Sequence, residues 1–409
     1  MPTSTTSTTS TTSTTSPLNA PRSTKPLVLT VLSLMVVVMA HSNMPTPLYY
    51  IYGREFEVTT GAITVIYAMY AVGIAVGLVL VNSVTARFGQ RLTLVAAAVS
   101  GVFSNALFLA ADAIGWLLAA RILTGVACGF VMSVGTTFAI ELTAERNRKA
   151  TAVAATACNV VGMGLGPVLG GIAADYATAP VTVVFATHLA LLVVAGVLLV
   201  ALGNRDHTGL ASSTGRFRPP SEPGFRPVFF GLSLVGLAGV GVFGLVAALT
   251  PAFLTDIGVD ASFTVSGAVI ACIFAGSAAA QFVLNKIGVR TGLFAGASAL
   301  VVGLTLLAAA VNVSQIWVYV LAAVVSGVGQ GMTMSRSVVS VSTAAQNAGE
   351  RVSAVSLFYF LVYLLASAPV MVVGVVQRSA GLGTAAVLFS ALSALAVVVG
   401  TMLAVRRQR

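Results

Sequence analysis

Charge is what this chain of 409 residues lacks: Asp, Glu, Lys and Arg together make up 8% of it, and only 11 residues are acidic. A soluble protein of this size carries about a quarter of its residues as charged side chains, so no water-facing shell can be assembled. Cysteine is scarce too. Cys128, Cys158 and Cys272 all fall inside apolar stretches, as small packing residues do, and suggest neither a disulfide framework nor a metal set. No glycine is followed by lysine, so the phosphate loop G-x-x-x-x-G-K-[ST] of an ATP-driven pump is missing. No His, Cys or carboxylate cluster has metal-ligand spacing. No cofactor and no enzymatic chemistry are expected.

What is present is apolar surface. Hydrophobic residues make up 57% of the chain, and its mean hydropathy is +0.99. The apolar runs fall at 27–52, 61–83, 92–111, 115–139, 151–173, 180–202, 227–254, 262–284, 292–311, 315–339, 353–376 and 383–405. Each can cross a hydrocarbon core of about 30 Å. Lipid offers no hydrogen bonds, so spanning segments are helices or a closed barrel. Barrel strands would alternate over about ten residues, whereas these runs are continuous. The expected class is an all-α membrane protein of twelve transmembrane helices.

Residues 1–26, nearly pure Ser and Thr at first, read as a disordered tail, with run 1 as an uncleaved leader. The longest polar gap, 203–226, reads as a cytoplasmic linker between six-helix units at 27–202 and 227–405, and 406–409 as a basic tail. With the N-terminus inside, seventeen of the 21 basic residues fall on one side of the membrane; Arg54 and Arg378 fall on the other, and Arg121 and Arg336 lie within runs. This bias places both termini in the cytoplasm and the protein in the cytoplasmic (inner) membrane. It also accounts for the net charge of +10, since no basic stripe with interleaved aromatics exists for a nucleic acid to follow.

The two units repeat. Arg87-Phe88-Gly89-Gln90-Arg91 after run 2 matches Lys286-Ile287-Gly288-Val289-Arg290 after run 8; Gly125 and Gly129 match Gly327 and Gly331; Pro167 matches Pro369. Two parallel six-helix repeats describe the major facilitator fold, with its substrate site between the halves. The chain resembles that superfamily over 27–405. Arg87, Gly89 and Arg91 are similar to the tail of its G-x-x-x-D-R-x-G-R-R loop, although Asn82 and Ala86 replace the leading glycine and the aspartate. Arg121, ahead of Gly125 and Gly129, resembles the arginine that the family keeps in this helix. Gly162, Gly166, Pro167, Gly170 and Gly171 reproduce G-x-x-x-G-P-x-x-G-G, the motif of the family's exporters, with Val153 where a longer form has glycine. Glycines four apart share one helix face and permit close helix approach, and an internal proline gives a pivot. This seam is expected between the moving halves.

The resemblance implies a drug/proton antiporter: a monomer exporting a small apolar or amphipathic molecule in exchange for protons. A nutrient importer of the same fold is the alternative. An arginine in mid-membrane costs about 2.5–3.5 kcal/mol on insertion scales, so Arg121 either faces a cavity or snorkels to the surface. No acidic residue falls in mid-membrane. Proton or substrate contact is therefore assigned to His41, with Asn43 beside it, and to His188; the outer Glu55 and Glu57 could share the task. Tyr50, Tyr67, Phe358, Tyr359, Tyr363 and Arg336 are candidates for the cavity wall, the tyrosines near runs 1 and 2 also suiting an interfacial belt.

Overall fold

The computed structural model describes residues 25–56, 60–202, 218–258, 262–283, 287–346 and 348–405. Most of the terminal tails and of the linker lies outside these residues. Among the described residues, ten helical stretches are long and apolar enough to cross a membrane. The helices are α1 (Lys25–Asn43), α2 (Tyr49–Glu55), α3 (Thr60–Leu109), α4 (Ile114–Phe130), α5 (Thr136–Glu141), α6 (Arg148–Tyr176), α7 (Pro180–Leu202), α8 (Phe225–Asp256), α9 (Phe263–Val283), α10 (Val289–Val313), α11 (Ile316–Thr343) and α12 (Ala348–Val405).

Two of these are double crossings. α3 has 50 residues, about 75 Å of straight helix at 1.5 Å per residue, and breaks at Gly89 (φ 81°, ψ 168°). α12 has 58 residues and breaks at Gly381 (φ 82°, ψ 167°), its first crossing containing the shorter apolar stretch Ser353–Ala366. Only glycine adopts such a conformation without strain. Counted this way, the chain crosses twelve times, in two pseudo-symmetric six-helix bundles. Gly288, the sequence counterpart of Gly89, has φ −58° and ψ 156° and needs no glycine. The motif repeats; the backbone turn does not.

Run 1 is not one continuous helix. Pro45 lacks the amide that would continue α1, which stops at Asn43; a turn over 44–48 leads into α2. Run 4 also differs from a plain helix: Val131–Gly135 forms a π-helical turn between α4 and α5, the kind of insertion that often marks functional sites.

The bundles are held by helix pairs in backbone contact. A Cβ on Gly125 would meet the Tyr70 carbonyl oxygen at 2.3 Å, and one on Gly327 would meet that of Ile273 at 2.0 Å. Thus α4 packs on the first half of α3, and α11 packs on α9, in the corresponding way. Without a hydrophobic drive in lipid, such close packing takes its place. The chain enters α1 and leaves α12 at one face, here called the basic face; α6 and α8 also begin there. On this face Glu350 accepts hydrogen bonds from the backbone N–H groups of Ser221 and Gln346, which hold its carboxyl below the usual carboxylate range.

Candidate functional site

The N-terminal bundle encloses a polar cluster. α1 ends beside the middle of α4, leaving carbonyls without intrahelical partners. Arg121, fully buried, donates from Nη1 to the Ser42 carbonyl at 2.6 Å. Its charge therefore sits at the negative end of the α1 dipole. Three tyrosine rings surround the guanidinium, with centroids at 5.1 Å (Tyr49), 5.2 Å (Tyr67) and 5.7 Å (Tyr70). Among the described residues, Nε and Nη2 have no hydrogen-bond partner. Arg121 does not snorkel to the surface.

His41 and His188 lie together, stacked with centroids 4.7 Å apart and planes 12° from parallel. Their tautomers follow from their partners. The Ser104 hydroxyl lies 2.7 Å from the Ala120 carbonyl, 2.8 Å from Thr124 Oγ1 and 2.9 Å from His41 Nε2. With its hydrogen on the carbonyl, it accepts from His41. His188 Nε2 faces the Val37 carbonyl at 2.8 Å and must also donate. Its Nδ1 then accepts from the Asn105 amide at 3.0 Å. In this assignment both rings carry hydrogen on Nε2, and His41 Nδ1 is a buried acceptor with no partner among the described residues. Asn43, on the next turn edge, donates to Ser42 Oγ at 3.0 Å.

Between the bundles is a cavity of about 520 Å³. It runs from Arg351 and Ser342, where α12 begins and α11 ends on the basic face, to Met39, Phe243 and Tyr363 at mid-depth. Its polar lining is uncharged apart from Arg351: Ser133 on the π turn, Thr137, Asn159, Gln281 and Gln330, with Tyr359 and Tyr363. Ser277 bridges the carboxamides, donating to Gln330 Oε1 at 2.8 Å and accepting from Gln281 Nε2 at 3.2 Å. A smaller chamber of about 70 Å³ continues above it, walled by Asn43, Tyr67, Tyr70, Met163 and Phe243. Sequence reading missed the carboxamides. The signal was there, since Asn159, Gln281 and Gln330 are amides inside apolar runs, where an unsatisfied polar group is costly.

The sequence profile of the Major Facilitator Superfamily matches residues 30–369, most of the chain. The chain belongs to that superfamily. It is a transporter and not an enzyme. The MFS-type transporter YtbD of Bacillus subtilis (strain 168), itself uncharacterised, is 29% identical over 121 residues, spanning 28% of this chain and 30% of that relative. Among solved structures, the nucleoside transporter NupG (D323A mutant) aligns with TM-score 0.69 at 12% identity, covering 92% of this chain and 99% of its own. A partially occluded inward-open form of the xylose transporter XylE from E. coli aligns with TM-score 0.70 at 14% identity, over 92% and 98%. At these identities the likeness establishes the fold.

In this major facilitator chain the glycine-proline motif divides its labour. Cβ atoms on Gly162, Gly166 and Gly170 would meet the backbone of Val36, Ala40 and Met44, so these glycines seat α6 on α1 within one bundle. Only the other face of the motif meets the second bundle: Gly171 packs on the Phe263 carbonyl, and the Pro167 carbonyl packs on Gly267 of α9. Of the five motif residues, Pro167 and Gly171 form the seam between halves, joined by Gly164, whose Cβ would meet Phe274 at 3.1 Å. Spacing four places glycines on one face, but it does not say which neighbour that face meets.

Asp175 completes this seam on the face opposite the basic one. Its carboxylate accepts from the Phe263 amide at 2.9 Å, the Thr264 amide at 2.8 Å and the Thr264 hydroxyl at 2.6 Å. A side chain of one bundle thus caps the first helix turn of the other, where the dipole favours an anion. We expect Asp175→Ala to loosen the closed face, since losing a cap costs about 0.5–2 kcal/mol. Labelling of a cysteine introduced at buried Ser266 by an impermeant maleimide should rise several-fold in a cysteine-free background. Unchanged labelling would remove Asp175 from the latch.

The remaining expectations divide. Tyr67, Tyr359 and Tyr363 line the two cavities. Phe358 does not: it is fully buried in the C-terminal bundle beside Phe229, and its edge fills the space over Gly236. Its neighbour Tyr359 takes the inward face instead, one residue being about 100° of helix rotation. Arg336 is also buried, its stem lying across Gly292 of α10 and outside the central cavity. The side chains of Tyr50 and Glu55, and all of Glu57, lie outside the described residues. At the loop motif Arg87 stacks on Phe88 at 5.4 Å, while Gln90 donates to Glu141 at 3.2 Å. With Ala86 in place of the family aspartate, it is Gln90 that ties this turn to the end of α5.

Proposed function

We propose that this transporter exports a small apolar or amphipathic molecule by alternating access, in exchange for protons, with the basic face in the cytoplasm. The glycine-proline motif carries the export reading; alternating access is supported by the cavity between the halves, which reaches Arg351 on the basic face while Asp175, Gly171 and Pro167 join the halves on the opposite one. Cargo would enter from the cytoplasm into a wall of methionines, Phe243 and tyrosines that adapts to irregular apolar bodies. Rocking of 27–202 against 227–405 would then break the Asp175 cap and open the far side. Orientation follows from the basic residues of the loops, and export from the glycine-proline motif.

His41 is the group proposed to carry the proton. Its bare Nδ1 is the open basic position of the cluster, and its charged or titratable neighbours are Arg121 and the stacked His188. Protonation there would place a second cation near Arg121 and weaken the hold of Ser42 and α1 on the site. His41→Ala should flatten the dependence of efflux on external pH while leaving cargo binding within a few-fold. A pH profile identical to the parent's would discharge His41 from this role.

The hydroxyl and carboxamide groups of the cavity also suit a polyol or nucleoside, and they favour uptake of a nutrient as the second reading. Expression in cells loaded with dyes and antibiotics separates the two. Export requires lower accumulation on expression, restored by a protonophore; higher accumulation would favour uptake.

A further inference from the structure

A guanidinium has five N–H donors, and burying it without an anion is costly. In Arg121 the Ser42 carbonyl serves Nη1, and three tyrosine faces offset part of the cost, but Nε and Nη2 remain without acceptors. These two atoms form one edge of the guanidinium plane, the fork that takes a carboxylate through two parallel hydrogen bonds. Tyr67 and Tyr70, over which the guanidinium lies, are also the wall of the small chamber above the central cavity. Among the described residues no carboxylate lines either cavity, and the charged group of the larger one is again an arginine, Arg351 at its mouth. The path from the basic face to Arg121 is therefore positive at both ends and apolar or neutral between.

We propose that the cargo is an organic anion, a carboxylate or similar oxyanion on an apolar body, whose charge docks on the Nε–Nη2 edge of Arg121 when the Tyr67 and Tyr70 rings part. Arg351 gathers the anion at the mouth, and Met39, Met132, Met163 and Phe243 hold its apolar body. A permanent cation meets two positive groups and no counter-charge, and is rejected. This inference rests on the transport reading but not on its direction.

The test is solute counterflow into proteoliposomes holding the purified full chain, with fusidate and taurocholate as anions, chloramphenicol as a neutral probe, and ethidium and tetraphenylphosphonium as permanent cations. Saturable, protein-dependent counterflow of at least one anion is expected, and none of either cation. Arg121→Gln should lower anion counterflow by about 30-fold or more, as loss of a desolvated charge-assisted contact does, with Arg121→Lys retaining part of it. Should Arg121→Gln not fold by circular dichroism, Arg351→Gln decides: it should raise the anion KM several-fold with little change in kcat, and weaken the dependence on salt. Movement of a permanent cation, absence of any anion movement, or a folded Arg121→Gln protein carrying anions at the parental rate would each overturn the proposal; if that variant does not fold, an unchanged anion KM in Arg351→Gln would do so. Counterflow scores exchange in both directions, so a wrong export direction, seen in cells, leaves this charge ordering intact.

Discussion

Replacing Gly166 with leucine abolishes transport. A Cβ at this position lies 2.2 Å from the Ala40 carbonyl oxygen and 2.9 Å from the Met44 amide, so even alanine forces α6 away from α1. Overpacking of this kind costs about 1–3 kcal/mol, and occasionally more. Here the displaced atoms are backbone, which cannot rotate aside. The shift also moves Ser42 and His41, which follow Ala40 on α1, and with them the acceptor that holds Arg121. Transport by Gly166→Leu should fall at least 100-fold, and by Gly166→Ala about tenfold, each with a lower thermal midpoint in detergent. Gly115→Ala is the control: nothing lies within 4 Å of its added Cβ, and relief of glycine's backbone entropy should leave it neutral or up to about 1 kcal/mol more stable. A fully active Gly166→Leu protein would show that the α1–α6 contact is dispensable.

The second large effect is at Arg121, where function and stability should move apart. Among the described residues no charged partner is in contact with the guanidinium, so Arg121→Met leaves no orphan carboxylate there. Replacing a buried charge by an apolar residue of similar length is often neutral or stabilising. Transport should nevertheless fall by more than 100-fold, because the docking charge proposed behind Tyr67 and Tyr70 is gone. The measurement pairs a melting curve with counterflow on the same preparation. A melting midpoint many degrees lower would mark Arg121 as a structural brace, while parental transport would end its part in the mechanism.

Much of the architecture was legible because lipid simplifies the code. Twelve apolar runs and a repeat offset of about 200 residues specify helices and the pairing of halves before any contact is known. The breaks were harder to see. Gly89 stood in a recognised motif, yet its twin Gly288 is extended and Gly381, in no motif, makes the same turn as Gly89. Glycine permits a positive φ but does not demand it. Pro45 and Pro47 could have announced that run 1 ends early, since proline cannot donate to a preceding turn.

The site was partly visible. Arg121, His41 and His188 stood out as polar residues in apolar runs, and they meet in one cluster though 67 and 147 positions separate His188 from Arg121 and His41. Of their partners, Asn105 gave the same signal as the cavity carboxamides, an amide inside an apolar run, whereas Ser104 and the carbonyls of Val37 and Ser42 carry none. Phe358 and Tyr359 show the limit in miniature: adjacent aromatic residues, one in the bundle core and one on the cavity.

By itself the sequence determined that this protein lies in a membrane, crosses it twelve times and repeats itself, because hydrophobicity and charge act locally, residue by residue, on the solvent each segment prefers. Only the tertiary structure decided which glycines face α1 and which face the other bundle, that Asp175 caps a helix 88 residues away, and that Arg121 is ringed by tyrosines with one edge free. Those are matters of helix rotation and depth. A turn of 100° per residue carries a side chain from core to cavity without altering any property that composition records.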